Sequence, residues 1–349
     1  MFKTEVGSVE GNEAYLRPET AQLIFVDFNR IVKTNRATLP FGIATIGRVF
    51  RNEISPRNFV FRCREFEQME VEFFFNPETE CPKEWIKKVE DLEVSVLTQE
   101  VQESNSKAVT LSIGELLKKK HTTGWHAYWL AKSMKFMIAL GLTPDKLRLR
   151  QHLKNELSHY STDTWDIEYE YSFGWKELAG IANRTDYDLK QHAKASGVDL
   201  SVATPEGEKV YPHVIEPSLG VDRLVFALVE DAHLTEKLAD GKERQVMKLK
   251  SVVAPTQVAI LPLVAKDGMP EAATEMYEVL RHKFRTFYDA KGSVGRRYRR
   301  QDSIGTPLCI TVDGQTLEDG SVTIRARDSM KQVRVKAKNI VKEVVANLG

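Results

Sequence analysis

The clearest pattern in the chain lies between Ile46 and Phe74, in IGRVFRNEISPRNFVFRCREFEQMEVEFF. Apolar and polar positions alternate through Val49, Arg51 and Glu53, yield to a polar stretch with Pro56 and Asn58, and then alternate again, which predicts a β-hairpin. Side chains two apart share a face, so Arg62, Arg64, Phe66, Gln68, Glu70 and Glu72 line one side of the second strand. Cys63, Met69, Val71 and Phe73 line the other, which reads as the core side. The charged side is either solvated or meets a ligand carrying both signs of charge, because unpaired buried charge is costly.

Upstream, Thr20 is a plausible N-cap, and Ile24, Phe25, Phe28, Ile31 and Val32 recur at helical spacing after it. Glu19 then sits at a strand-to-helix corner, where a first-turn carboxylate is favoured by the helix dipole. Residues 83–101 predict an amphipathic helix and 126–141 another. In QHLKNELSHYSTDTWD the side chains of His152, Glu156, His159 and Asp163 would share one helical face, a pattern that a metal could use but that is more often a solvated stripe.

YEYSFGWKELAGIANRTDYDL predicts a strand and turn carrying Glu177. In PHVIEPSLGVDRLVFALVEDA an apolar strand ends at Glu216, and a helix follows with Val221, Leu224, Val225 and Leu228 as its buried stripe. Gly220 lets a flat ring approach the backbone. Arg223 stands in a first turn that ordinarily prefers acids, so it answers a ligand's charge. The charged run Leu234 to Lys250 reads as a junction, dividing the chain into 1–248 and 249–349. Beyond it come a buried strand in VAPTQVAILPLV, a helix over 271–288, and strands in PLCITVD and SVTIRARD with a Gly-containing turn between them, a compact α/β arrangement. GSVGRRYRRQDSIGTP reads as a mobile basic loop, in which Arg296, Arg297, Arg299 and Arg300 suit phosphate and Tyr298 suits base stacking.

Composition changes this picture little. The 349 residues carry a formal net charge of +1, with 42% hydrophobic and 28% charged residues, as in an ordinary globular protein of two domains. From Ser251 onward 16 Lys and Arg stand against 11 Asp and Glu, a mild basic excess suited to a polyanion. Cys63, Cys81 and Cys309 form no CxxC pair, which argues against a disulfide framework or structural zinc and fits a reducing cytosol. No apolar run is long enough to span a bilayer.

FRNE, a loop, and then Arg62, Phe66 and Glu70 in RxxxFxxxE resemble motif 2 of the class II aminoacyl-tRNA synthetases, and EPSLGVDR resembles motif 3. LRPETAQ and REFEQMEVEFF are similar to the glycyl-tRNA synthetases of the homodimeric type, with Leu23 where that family usually has glycine. The resemblance begins inside the family's pattern, so motif 1, which builds part of the sheet and the dimer interface, is expected ahead of Met1.

The resemblance implies an α+β fold: an antiparallel sheet flanked by helices, followed by a smaller α/β anticodon-binding domain with a mixed sheet. It implies ATP-dependent ligation of glycine to tRNA(Gly) through a glycyl-adenylate, with Mg2+, in the cytoplasm, by a protein whose full-length form is a homodimer. The competing reading is a non-catalytic tRNA-binding relative or an inactive fragment.

Arg51, Arg223 and Glu177 would be catalytic, Glu177 holding Mg2+ on the ATP phosphates. ATP would be bound by these three with Asn52, Glu53, Phe61, Arg62, Arg64, Glu65, Phe66, Leu178, Gly220, Val221 and Asp222. Glycine would be bound by Glu19, Phe66, Glu67, Gln68, Met69, Glu70, Glu216, Ser218 and Gly220. The HxxxELxHYxxD segment would lie near the tRNA acceptor end, and the 296–300 basic run would meet tRNA.

Overall fold

The computed structural model describes residues 1–7 and 11–348, and its contacts group them into two compact units, Met1–Ala227 and Leu228–Gly349. Among the described residues the first unit is built on an eight-stranded sheet. Its elements are α1 (Ala21–Asn35), β1 (Phe41–Phe50), β2 (Glu65–Phe75), β3 (Glu93–Leu97), β4 (Val109–Ser112), α2 (Gly124–Leu140), β5 (Leu147–Gln151), β6 (Asp163–Tyr171), β7 (Gly174–Thr185), α3 (Tyr187–Ser196), β8 (His213–Gly220) and α4 (Val221–Ala232).

The strands run in the order β1-β2-β8-β7-β6-β5-β3-β4, antiparallel except for the parallel pair β3 and β5. The predicted hairpin is present, with Val49 opposite Phe66 and Thr45 opposite Glu70. Both faces of its second strand are covered, where only one was expected to face a core. Gln68, Glu70 and Glu72 are buried, whereas Met69 and Val71 are only half-buried. The reason is α1, whose Ile24, Phe25 and Phe28 pack on Phe74 of the same face, with rings of Phe28 and Phe74 4.7 Å apart. Burying an aromatic of this size contributes roughly 1.5–3 kcal/mol, which helps hold a helix over a polar strand face. The opposite face takes Phe73 and Phe75 against Trp125 of α2, and Phe73 also against Trp129.

Three further expectations are corrected. Residues 83–101 are not one helix: a single turn over Lys83–Ile86 precedes strand β3, where buried Val94 and Val96 alternate with half-exposed or exposed neighbours and the β-branched pair favours the sheet. Residues 152–162 form no helix between β5 and β6, so the four side chains share no face. The strand expected to end at Glu216 runs on to Gly220, and in α4 Leu224, Ala227 and Leu228 are buried while Val225 is 54% exposed.

The second unit opens with an antiparallel hairpin, His233–Lys237 against Glu243–Met247, where a junction was expected. It continues with β9 (Val258–Pro262), α5 (Met269–Arg281), β10 (Thr286–Tyr288), α6 (Val294–Ile304), β11 (Leu308–Val312), β12 (Ser321–Ala326), β13 (Gln332–Lys336) and α7 (Ile340–Leu348). The mixed sheet has the order β10-β9-β11-β12-β13, parallel around β9 and antiparallel from β11 onward. The helix predicted over 271–288 stops at Arg281, and Phe287 lies in strand β10. A short helix, Gly314–Asp319, joins β11 to β12 where a turn was expected.

Candidate active site

Three elements converge at the open end of the hairpin. Arg51 follows β1, and its backbone N–H donates to the carbonyl of Arg64 at 2.9 Å, which closes the loop between the strands. Its Nε donates to the carbonyl of Pro18 at 3.3 Å, and its guanidinium lies over the Phe66 ring at 5.2 Å. From the other side, the Asp222 carboxylate accepts from the Glu67 N–H at 2.9 Å and so fixes the start of α4 against β2.

Arg223 is held by two carbonyls, donating to Glu177 and to Phe61 at 3.2 Å each, and it pairs with the Glu177 carboxylate at 3.2 Å. Arg51, Glu53, Phe61, Phe66, Gly220, Asp222 and Arg223 line one cleft, together with Val60 and Cys63, neither of which the sequence reading placed there. Arg64 donates to the Glu53 carbonyl at 3.0 Å, and Glu65 pairs with Arg48 at 2.7 Å. Asn52 and Arg62 are exposed in the loop, Leu178 is buried beside Glu177, and Val221 is half-buried at the start of α4.

Beside the cleft, under α1, lies a pocket of carboxylates. Glu70 accepts the backbone N–H of Thr20 at 2.8 Å, that of Ala21 at 3.0 Å and the Thr20 hydroxyl, all on one oxygen. Its other oxygen accepts the Ser218 hydroxyl at 3.0 Å, and Gln68 donates to Ser218 at 2.7 Å. The register explains the meeting, since Ser218 lies opposite Glu70 on one side and Gly180 on the other. Glu19 stands at the mouth, accepting from the Gln22 amide at 2.9 Å.

The residue that organises this pocket was missed by sequence reading. Arg184, 1% exposed, donates to both oxygens of Asp188 at 2.8 and 2.9 Å and to Glu216 at 2.8 Å, and lies 3.8 Å from Glu19. The ring of Tyr160 covers its guanidinium at 4.0 Å. Burial pushes the Glu216 carboxyl up to about 7 even against the pull of Arg184.

Glu67 and Met69, expected among the glycine ligands, are corrected: strand alternation turns them to the face opposite Gln68 and Glu70, and Met69 lines a groove with Trp129 and Phe136. The 152–163 side chains also part company. His152 meets Asp166 at 2.9 Å, Glu156 pairs with Arg150 at 2.6 Å, His159 packs on Tyr187, and Asp163 meets the buried His126 at 3.2 Å. Among the described residues no group of three or more His, Cys, Asp or Glu could hold a metal ion.

In the second unit the expected basic loop is helix α6, which buries one of its five candidates and half-buries another. Arg297, 1% exposed, donates to the carbonyls of Pro262, Leu263 and Asp289 at 2.6, 3.0 and 3.0 Å. Tyr298 is half-buried, hydrogen-bonded to Thr311 at 2.5 Å and overlain by Arg325. Helical period 3.6 turns Arg296, Arg299 and Arg300 outward, Arg300 pairing with Asp289 at 2.6 Å.

Residues 2–232 match the tRNA synthetase class II core domain (G, H, P, S and T), and residues 257–347 match the anticodon binding domain. The chain is 47% identical over 347 residues to a glycine–tRNA ligase of Clostridium tetani, covering 99% of this chain and 65% of that protein. It is 48% identical over 338 residues to one of Geobacillus thermodenitrificans, covering 96% of this chain and 63% of that protein. The chain thus spans just under two thirds of the length of these relatives. A prolyl-tRNA synthetase structure from Cryptosporidium parvum shares the fold at 16% identity with a TM-score of 0.60, over 99% of this chain and 64% of that one. With both domains matched and the motif residues gathered around one cleft, the chain belongs to the class II tRNA synthetases.

Proposed function

We propose that this protein activates glycine with ATP and transfers the glycyl group to tRNA(Gly). The observation that carries the reading is the adjacency of two sites of opposite character: a cationic, aromatic cleft at Arg51, Phe66 and Arg223, and an anionic pocket at Glu19, Glu70 and Glu216. The first suits a triphosphate and a purine. The second suits an ammonium group, and its walls of Ser218, Gln68 and buried charge leave little for an apolar side chain to bind.

Glycine's carboxylate is already ionised, so attack on the α-phosphorus needs alignment and charge neutralisation rather than a general base. In this reading Arg51 holds the α-phosphate, Arg223 and Arg62 hold the β and γ phosphates, and the base lies between Phe66 and the turn from Gly220 to Arg223. Glu177 fits a Mg2+ carried on the nucleotide: it is a single, half-exposed carboxylate beside the phosphate-binding arginine, and Mg2+ is commonly held by one or two carboxylates plus phosphate oxygens and water. When bound, that ion neutralises phosphate charge. Arg296, Arg299 and Arg300 on the open face of α6 are the contacts for tRNA. A homodimer in the cytoplasm completes the reading.

Exchange of pyrophosphate into ATP, measured with glycine and then with alanine, serine and proline, tests the proposal. Exchange that depends on glycine alone is expected. Equal exchange with another amino acid, or with none added, would overturn it.

A further inference from the structure

Glu72 lies on the same face of β2 as Gln68 and Glu70, one step closer to the aromatic cluster of Phe25, Phe28 and Phe74. It is fully buried, and among the described residues neither of its carboxyl oxygens has a hydrogen-bond partner. The register that pairs Ile215 with Phe73 and Ser218 with Glu70 sets Glu216 across from it, and Ile43 of β1 lies on its other side. The charged groups facing this spot are Glu19 ahead of α1, Glu70 on β2, Arg184 on β7, Asp188 on α3 and Glu216 on β8. His192 of α3 is turned to Gln22, whose amide joins Glu19 to Asp188.

Five carboxyls therefore surround one guanidinium in a region largely closed to water. Full ionisation would leave several uncompensated negative charges there, which a low-dielectric interior does not tolerate. Asp188 and Glu216 take the donors of Arg184, Glu70 takes the N-terminal N–H groups of α1, and Glu19 takes Gln22. Glu72 has no donor to stabilise an anion, so the proton belongs on it.

We propose that Glu72 is the proton-holding residue of the amino-group pocket: its carboxyl is neutral while the pocket is empty and ionises when an ammonium group enters, so that amino-acid binding expels one proton to solvent. This rests on the glycine reading of that pocket. The ammonium keeps its own three protons; the proton that leaves comes from the Glu72 O–H, and the entering cation replaces its charge. Burial, then the neighbouring Glu216, holds the Glu72 carboxyl well above the ordinary range, against the opposing pull of Arg184. By linkage, affinity for glycine rises about tenfold per pH unit while Glu72 is protonated in the free protein, and levels off above its pKa. The role is one of positioning and charge balance, and its signature is a proton count rather than a rate.

The full chain and its Glu72→Gln variant, which mimics the neutral acid in shape, test this by infrared difference spectroscopy and by calorimetry with glycine in two buffers of different ionisation enthalpy. At about pH 8.5, where Glu216 is ionised, the expected result is a carbonyl band of a buried protonated carboxyl that is present in the free protein, absent in Glu72→Gln, and bleached by glycine. Above the titration of Glu216, at about pH 8.5, release of about one proton per glycine falls to near zero in the variant, and its affinity for glycine no longer varies with pH there. A band that survives Glu72→Gln, or equal proton release by both proteins, would overturn the proposal. A band that Glu72→Gln removes but glycine leaves unchanged, while calorimetry shows glycine bound, overturns the coupling alone. The same unresponsive band with no glycine bound overturns the amino-acid reading of the pocket as well. Glu72→Met, which removes the acid without adding a donor, guards against a spectral change caused by the new amide.

Discussion

The backbone N–H of Thr20 donates to Oε2 of Glu70 at 2.8 Å, across fifty positions of sequence, and the Ala21 N–H joins it at 3.0 Å. Glu70 therefore caps α1 from a neighbouring strand, complementing the positive end of the helix, while its second oxygen faces Ser218. Glu70→Gln should raise the KM for glycine by about 10- to 100-fold through loss of the charge-assisted contact, and lower stability by about 1–3 kcal/mol as α1 loses its anionic acceptor. ATP binding should be spared. Glycine titrations of pyrophosphate exchange and urea melts read both; an unchanged glycine requirement would rule out the ammonium contact.

Arg184→Met should cost about 3–5 kcal/mol, because it leaves Asp188 and Glu216 buried without their cation. The cost should grow from pH 6 to pH 8. A carboxyl whose folded pKa lies above its unfolded value favours the fold at low pH and loses that contribution as pH rises, and removal of the cation raises the folded value of Glu216 further. Glu216, already near 7, titrates within this window. Urea midpoints at the two pH values provide the comparison; a pH-independent loss would contradict the assignment.

A Cβ on Gly47 would lie 2.2 Å from a terminal nitrogen of Arg17, whose Nε donates to the Arg48 carbonyl at 2.7 Å. Gly47→Ala should therefore destabilise by about 1 kcal/mol by displacing Arg17, and should cost almost nothing in an Arg17→Ala background. The double-mutant cycle is the measurement, and additive effects would show that the two positions do not compete.

Arg297→Ala should strip three carbonyls of their donor, that of buried Pro262 among them, and destabilise the second unit by about 1–3 kcal/mol or more, since that buried carbonyl is left unpaired. Arg296→Ala with Arg299→Ala should leave the melt unchanged, weaken tRNA binding and reduce its salt slope by about 2. Identical behaviour of the two variants would show that the helix face is misassigned.

The hairpin, α1 and the paired motif residues were legible because their signals are local: period two in the strand, period 3.6 in the helix, and spaced residues around Phe66. The buried side of β2 was not, because Met69 and Val71 look like core and only the docking of α1 by Phe25 and Phe28 decides otherwise. Arg184 was invisible among the small residues of LAGIAN, since its partners Glu216 and Asp188 are brought to it by strand pairing and by α3. The run from Arg296 to Arg300 misled because flanking glycines suggested a loop, although its amphipathic spacing buries Arg297 and Gln301 one turn apart.

The clasp between Glu70 and the head of α1 makes recognition inseparable from assembly. Without the seated helix Glu70 lacks the N–H donors of Thr20 and Ala21, so the proposed amino-acid pocket depends on the docking of α1. Heating should accordingly abolish ligand capture and melt the first unit over the same interval, with no intermediate temperature at which a loosened chain accepts bulkier amino acids.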